Sequence, residues 1–206
     1  YFRDMIDDLD ELKTNVNARQ EYAKRHAWIM GRKVDEIVIT AMNQAANGTT
    51  GAGSAFTLAM ANELFTYMGD NAVPMDGDRY AVISPKGWTD LMAIPQFSSA
   101  DYVPEGEMPY KGSAGTAKRW FSFYWFVQEG RDGDDGALPK TGDVRTGFAW
   151  HRNSIGSHEQ QGITTETDRN VPAQAYDLVS KLAYGAVIID GDGIYKLNHD
   201  ETVVPT

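Results

Sequence analysis

A long amphipathic helix is the feature that most constrains the fold of this chain. Apolar residues recur at three- and four-residue steps across residues 17–47, which places them along one side of a helix. Asn17 is suited to cap its beginning, and Asn47-Gly48 is a typical helix end. At 1.5 Å per residue this pattern predicts a rod of roughly 45 Å, although Gly31 within it costs about 1 kcal/mol relative to Ala. Such a rod is long enough to span a whole subunit.

The rest of the pattern predicts an α+β fold with mixed strands. A Gly- and Thr-rich segment at 48–54 is typical of a flexible linker and is the best candidate for a domain boundary. Two apolar runs on either side of Asp190-Gly-Asp-Gly193 predict a β-hairpin. Residues 173–184 fit a helix or a strand equally well, and residues 1–14 are ambiguous. The other predicted elements are helices over 56–68 and from Pro85 onward, strands over 79–83, 118–128 and 146–150, and a loop over 95–117.

The predicted strand 118–128 is unusual because both of its faces are aromatic or apolar. A strand that is buried on both sides has this composition, so core packing is the first interpretation. The second interpretation is a contact between subunits, since aromatic residues are enriched at the centres of interfaces. The formal charge of −10 disfavours stacking on nucleic acid, although Lys118 and Arg119 are adjacent. The candidate core or interface residues are Trp120, Phe121, Phe123, Tyr124, Trp125 and Phe126.

No pattern in the sequence indicates a catalytic, cofactor or metal site. There are no cysteines, which excludes disulfides and thiol catalysis. The acidic loop that begins at Asp132 has Gly136 where a calcium-binding EF-hand needs an oxygen ligand, and Asp143 where it needs Glu. No apolar stretch reaches the length of a membrane helix. The histidines lack metal-ligand spacing and are interpreted as surface or strand-end residues: His26, His151, His158 and His199.

Five stretches, in their order along the chain, resemble the coat proteins of tailed bacteriophages with the Hong Kong 97-type fold. Within the long helix, Tyr22 followed by the pair Arg32 and Asp35 is similar to the spine-helix motif of that family. Residues 80–91 are similar to the strand, Pro-capped helix and aromatic residue of its axial domain. The other three stretches are a glycine-marked segment with a hydrophobic strand at 110–127, a returning peripheral strand at 147–156, and a C-terminal strand at 184–189.

The resemblance implies a Hong Kong 97-like capsid fold with a long spine helix, a peripheral domain and an axial domain. Residues 1–50 and the return strands at 143–185 would form the peripheral domain. Residues 51–142 and a C-terminal strand hairpin at 186–206 would form the axial domain. We also expect an N-terminal arm before residue 1, because the chain starts without Met and inside an amphipathic pattern.

The function that the resemblance implies is structural, with no enzyme activity. Copies would assemble as hexamers and pentamers into an icosahedral head in the virion, built in the cytoplasm of the bacterial host. The partners would be other copies of the chain, double-stranded DNA without sequence-specific binding, and optional scaffolding, portal or decoration proteins, with no cofactor and no membrane. An acidic charge is compatible with a container that must release its DNA.

Two other functions are open on the sequence. A virion-surface or extracellular binding module would use residues 120–127 as an aromatic platform and would have no long helix. A hydrolase or metal-dependent enzyme would bring acidic and histidine side chains together in one pocket, from among His26, His151, His158, Asp132 and Asp134.

Overall fold

The computed structural model describes residues 1–7, 17–49, 53–99 and 117–204. Its contacts divide the chain into two compact units. The smaller unit contains Tyr1–Val38 and Ser157–Ala186. The larger unit contains Ile39–Gly156 and Val187–Thr206.

The smaller unit combines most of the long helix with a three-stranded sheet. Helix α1, Ala18–Met42, begins directly after Asn17, whose side-chain oxygen accepts a hydrogen bond from the Gln20 amide at 3.4 Å. The sheet contains β1 (Phe2–Asp7), β7 (Ile155–Asn170) and β8 (Ala175–Ile188), with β8 in the centre. The long helix predicted by the apolar spacing is confirmed, at 25 residues.

Two ambiguous segments of the sequence are strands of this sheet. Strand β1 pairs antiparallel with β8, with Phe2 opposite Ser180 and Asp7 opposite Ala175. Residues 8–14, the rest of the ambiguous N-terminal segment, lie outside the described residues. Residues 173–184 fall largely within β8, so of the two alternatives the strand is correct.

Within the described residues, the larger unit contains a six-stranded mixed sheet and three helices. Strand β2 lies at its centre, parallel to β4 and antiparallel to β6. Strand β3 extends the sheet beyond β4, and β5 and β9 both pair with β6. The elements are α2 (Leu58–Asp70), β2 (Arg79–Ile83), α3 (Pro85–Ala93), α4 (Pro95–Ser98), β3 (Ala117–Trp120), β4 (Phe123–Val127), β5 (Lys140–Thr141), β6 (Val144–His151), a 3-10 turn (Arg152–Ser154) and β9 (Ile194–Asp200).

The junction of β2 and α3 forms as its residues predict. Ser84 caps α3 by accepting a hydrogen bond from the Gly87 amide at 3.2 Å, and Pro85 occupies the first turn, where a missing N–H costs nothing. Trp88 and Leu91 of this helix are buried, as predicted, whereas Met92 is only half-buried.

One face of the sheet carries the core of the larger unit, which α2, α3 and α4 cover. Because side chains alternate along a strand, Ala81 and Ile83 of β2 point to this face, and so do Phe123 and Trp125 of β4. All four are fully buried. The helices contribute Leu64, Met68, Leu91 and Phe97, each also at 0% exposure.

The C-terminal hairpin predicted around Asp190-Gly-Asp-Gly193 is wrong. Strand β8 belongs to the three-stranded sheet, whereas β9 pairs along its whole length with β6, from Asp200 opposite Val144 to Ile194 opposite Trp150. The Asp/Gly turn still reverses the chain, but the strands on either side of it find partners in different sheets. A turn signal constrains only a few residues, and burial decides the pairing.

The segment after α1 is attached to the larger unit, so the described part of the predicted linker is not free. Gly48 forms a parallel bridge with Lys196, and the Thr49 amide donates to the Lys196 carbonyl at 2.9 Å. A Cβ on Gly48 would lie 2.8 Å from the Lys196 Cβ, so the close approach of the backbones requires glycine. Residues 50–52, in the middle of that predicted linker, lie outside the described residues.

The limits of the two units differ from the domain limits expected at 50/51 and 142/143. The first division falls inside α1, after Val38, and residues 143–156 belong to the larger unit. Residues 143–156 belong to the larger unit because β6 is hydrogen-bonded to β2 on one side and to β9 on the other. The chain returns to the larger unit at Val187, close to the expected limit at 185/186.

Candidate subunit-contact surface

The aromatic segment 118–128 forms two strands and a tight turn, so the single strand predicted from its composition is wrong. Phe121 and Ser122 adopt positive φ angles of 52° and 66° and connect β3 to β4. Two-residue turns with positive φ normally use Asn or Gly, because a side chain is strained there. Packing offsets this strain, since the Phe121 ring lies 5.4 Å from Phe65 and 4.9 Å from Trp120.

Two of the six candidate aromatic residues belong to the core. Phe123 and Trp125 are completely buried. The Trp125 ring lies 5.6 Å from Phe56 in an edge-to-face arrangement, and its Nε1–H donates to the Trp120 carbonyl at 3.0 Å. Trp120 is half-buried at the margin, 5.3 Å from the Phe97 ring. These residues hold the sheet against the helices.

The opposite face of the same sheet carries a row of aromatic side chains from three adjacent strands. The strand register places Tyr80 directly beside Tyr124 on one side and Trp150 on the other. The Tyr80 ring stacks on both, with centroid distances of 5.8 Å to Tyr124 and 5.9 Å to Trp150. Phe126 meets the Trp150 ring edge-to-face at 5.8 Å. We call these four residues the aromatic row.

The aromatic row is partly open to solvent and ends in a cation. Tyr124 is 41% exposed, and Tyr80, Phe126 and Trp150 are half-buried. The Arg119 guanidinium lies 5.4 Å from the centre of the Tyr124 ring, within the range of a cation–π contact. A surface with stacked aromatic rings and an arginine has the composition of an interface centre.

Lys118 does not add to the positive charge of this surface. Its side chain is 7% exposed, its Nζ donates to the Phe97 carbonyl, and it lies 4.1 Å from the centre of the Phe97 ring. Its ammonium therefore has buried partners, and only Arg119 of the Lys118-Arg119 pair faces the aromatic row.

The spine-helix residues lie in the smaller unit. Tyr22 is half-buried, whereas Arg32 and Asp35 are exposed, three positions apart on α1. The helix buries His26 and Met30, at 0% and 4% exposure. Ala27, which the apolar spacing places in the core, is exposed.

Three of the four histidines are buried. Their interpretation as surface or strand-end residues is wrong for His26, which lies inside α1, whereas His199 is next to the last residue of β9. Polar partners make this burial tolerable. His26 contacts Asp4 Oδ2 at 3.2 Å and Ser180 Oγ at 3.0 Å. His199 contacts Ser84 Oγ at 3.0 Å, and burial lowers the pKa of its imidazole below the ordinary value.

The remaining histidines and the acidic loop have separate neighbours. His151, at the end of β6, contacts Asp76 at 3.1 Å, and His158 is exposed on β7. Asp132 accepts a hydrogen bond from Arg145, which lowers the pKa of its carboxyl. Within the described ranges, no group of three or more acidic or histidine side chains is arranged to hold a metal ion.

A buried arginine fixes the C-terminal segment to the acidic loop. Arg145 is 7% exposed and donates to the Leu138 carbonyl at 2.8 Å and to both carboxylate oxygens of Glu201, at 3.0 and 3.1 Å. Lys140 Nζ lies 3.0 Å from Glu201. Burial raises the pKa of Glu201, but hydrogen bonds from Arg145, Lys140 and Ser84 outweigh it and lower the pKa to about 2. This cluster is structural.

Sequence reasoning missed Tyr80 and Trp150 as members of the aromatic row. Each lies in a strand that was predicted correctly or nearly so, at 79–83 and 146–150. Their alternation with buried neighbours was a usable signal, because it places them on the face opposite Ala81 and Ala149. Their proximity to Tyr124 depends on strand order, which the sequence does not show.

None of the helices in the described part of the chain is long and apolar enough to cross a membrane. A comparison with curated proteins gives no match. Solved structures do match: a structure from Mycobacterium phage Che8 is 17% identical, with a TM-score of 0.72, and the match covers 98% of this chain and 70% of that one. The head structure of Helicobacter pylori bacteriophage KHP40 matches at 10% identity and a TM-score of 0.69, covering 97% and 73%.

A third solved structure, the SrpI encapsulin complex of Synechococcus elongatus, matches at 13% identity and a TM-score of 0.64, covering 100% of this chain and 75% of that one. These matches show the Hong Kong 97-like fold that the sequence resemblance implied. The family model described as phage capsid protein matches residues 1–201. The chain is therefore a structural major capsid subunit and belongs to the phage capsid protein family.

Proposed function

We propose that copies of this chain assemble as hexamers and pentamers into the icosahedral head of a tailed phage, which encloses double-stranded DNA. The observation that carries this proposal is the phage capsid family match across residues 1–201. Solved structures of the same fold include the capsid of an empty GTA particle, which matches at a TM-score of 0.64. The subunit has no enzyme activity of its own and is assembled in the cytoplasm of the bacterial host.

The aromatic row is the surface of the larger unit that we assign to contacts between copies. Four aromatic side chains on a sheet face opposite the core bury no more than part of their area within one chain. A neighbouring subunit that covers these rings removes apolar area from water. This burial stabilises the contact by about 25 cal/mol per Å² of apolar surface. Tyr124, which is 41% exposed, would gain the most from this contact.

The two units also correspond, in this proposal, to the two domains of the fold. The smaller unit, which contains most of α1 and the three-stranded sheet, would be the peripheral domain. The larger unit, which contains the six-stranded sheet, would be the axial domain. Closed rings of such subunits need heterologous contacts, in which different surfaces of one chain meet.

The net charge of the chain supports a shell that encloses DNA without binding it tightly. With 19 basic and 29 acidic residues the chain carries a formal charge of −10, which repels a polyphosphate. We therefore expect no retention of a double-stranded DNA fragment by the free subunit in a mobility-shift assay at about 0.15 M salt. Tight binding under these conditions would contradict the proposed DNA role without affecting the assembly role.

Negative-stain electron microscopy of the expressed protein tests the assembly. Rings or closed shells of uniform diameter are expected, and a strictly monomeric protein across salt, concentration and added scaffolding protein would refute the proposal. Tyr124→Ala tests the aromatic row, and Met75→Ala is the matched control, because Met75 is 57% exposed in the same unit but outside the row. We expect fewer particles from Tyr124→Ala only, with an unchanged circular dichroism spectrum for both variants.

A further inference from the structure

Trp28 lies on α1, and its side chain is largely exposed to solvent. The chain has five tryptophans, and Trp28 is 79% exposed, whereas Trp88 and Trp125 are at most 5% exposed. Tryptophan is a highly buried residue on average, because a large apolar ring in water is unfavourable. An exposed ring of this size on a regular helix therefore indicates a surface that is covered in another state of the protein.

The described part of the chain also gives no reason for a glycine at position 31, three positions after Trp28. Residues three and four apart are neighbours on a helix surface, so Gly31 lies beside the indole. A Cβ built on Gly31 would meet nothing within 4 Å, and its φ is not in the left-handed region. No contact within the described part of the chain requires glycine here, although glycine weakens a helix. Together, the two residues form an indole beside a notch that is open to solvent.

The charged residues three or four positions from Trp28 are all cations, whereas Asp35 lies four positions from Gly31. The positions three or four residues from Trp28 are Lys24, Arg25, Gly31 and Arg32, and the three basic residues are exposed. Lys24 also pairs with Glu21 at 2.7 Å, one turn further from Trp28. The charge around the Trp28 indole is therefore positive, whereas the net charge of the chain is −10.

We propose that Trp28, Gly31 and their basic neighbours form a contact surface for a second copy of the chain. The charge identifies this occupant, because a second copy has a net charge of −10 and offers carboxylates to the cations. Strand β7 carries exposed carboxylates at Glu159 and Asp168. A third exposed carboxylate, Glu166, pairs with Lys181 at 3.0 Å in its own chain. The proposal rests on the proposed function and assigns to the spine helix one half of a heterologous contact.

Assembly of two variants tests this contact. Trp28→Ala should lower the fraction of assembled protein at least tenfold in sedimentation velocity and electron microscopy, with its unfolding temperature unchanged. Gly31→Ala should raise the unfolding temperature of the subunit by about 2–4 °C, because alanine favours the helix, and yet lower assembly by filling the notch. If Gly31 were merely tolerated in the helix, Gly31→Ala would stabilise the subunit without lowering assembly.

The control is Lys33→Ala, at an exposed position about 140° around the helix from Trp28, which should assemble as the wild type. Hydroxyl-radical footprinting gives a second readout, since Trp28 should be protected in particles and oxidised in free subunits. If both variants form normal shells, or if Trp28 is oxidised equally in particles, this contact is refuted while the proposed function stands. If the wild type forms no particles, the proposed function fails and the contact with it.

Discussion

Removal of the Glu201 carboxylate should destabilise the larger unit at neutral pH and much less in acid. Glu201 accepts hydrogen bonds from Arg145 at 3.0 and 3.1 Å, and its pKa falls from 4.5 to about 2 in the folded protein. A difference of this size corresponds to at most about 3 kcal/mol, at 1.36 kcal/mol per pKa unit. Solvent screens the cluster, because Asp132 is 55% exposed, so we expect about 2 kcal/mol.

The direction of the pKa change of Glu201 determines how its contribution to stability depends on pH. Because the folded pKa lies below the unfolded one, the contribution of Glu201 is complete above about pH 4.5 and is lost as the pH falls towards 2. Glu201→Gln should therefore lower the free energy of unfolding by about 2 kcal/mol at pH 7, and by less than about 1 kcal/mol at pH 3.

Urea unfolding followed by tryptophan fluorescence at the two pH values measures this difference. Glu129→Gln is the matched control, since it removes an exposed carboxylate from the same unit and should change the free energy of unfolding by less than about 0.5 kcal/mol. Equal destabilisation by Glu201→Gln at pH 7 and pH 3 would refute the argument, because a loss of packing has no such pH dependence. An unchanged free energy of unfolding for Glu201→Gln at pH 7 would also refute it.

Three further changes have magnitudes that urea unfolding can measure. Trp125→Ala should lower the free energy of unfolding by about 3–5 kcal/mol, because it leaves a cavity at a fully buried site; a loss below about 1 kcal/mol would contradict the core assignment. Gly147→Ala should cost about 1–3 kcal/mol, because the new Cβ would lie 2.6 Å from the Val82 carbonyl oxygen; wild-type stability would show that β2 and β6 are not so close. Tyr195→Phe should cost about 1 kcal/mol, because its hydroxyl donates to Glu63 Oε1 at 2.8 Å, and an additional Glu63→Gln change should add little.

The elements that sequence reasoning placed correctly are those set by neighbouring residues. The long helix follows from an apolar spacing that recurs over many turns, and its beginning follows from Asn17. Strand β2 and the helix that begins at Pro85 follow from a short apolar run and a Ser-Pro cap. Each of these signals acts within a few residues, so no other part of the chain can overrule it easily.

Several of the errors concern partners that are distant in sequence. His26 is buried because Asp4 and Ser180 approach it from other elements, one of them 154 residues away. The aromatic segment bends at Phe121 because Phe65 and Trp120 hold that side chain, although its composition favours one straight strand. Local chemistry does not contain this information.

The sequence by itself determined the fold class, the spine helix and the family resemblance, because these depend on periodicity and on the order of motifs along the chain. Only the tertiary structure decided which aromatic residues are core and which are surface. Phe123 and Tyr124 are adjacent in the chain, yet one is 0% and the other 41% exposed, because successive side chains of a strand point to opposite faces. Which face is covered depends on helices elsewhere in the chain, and their packing leaves the aromatic row open.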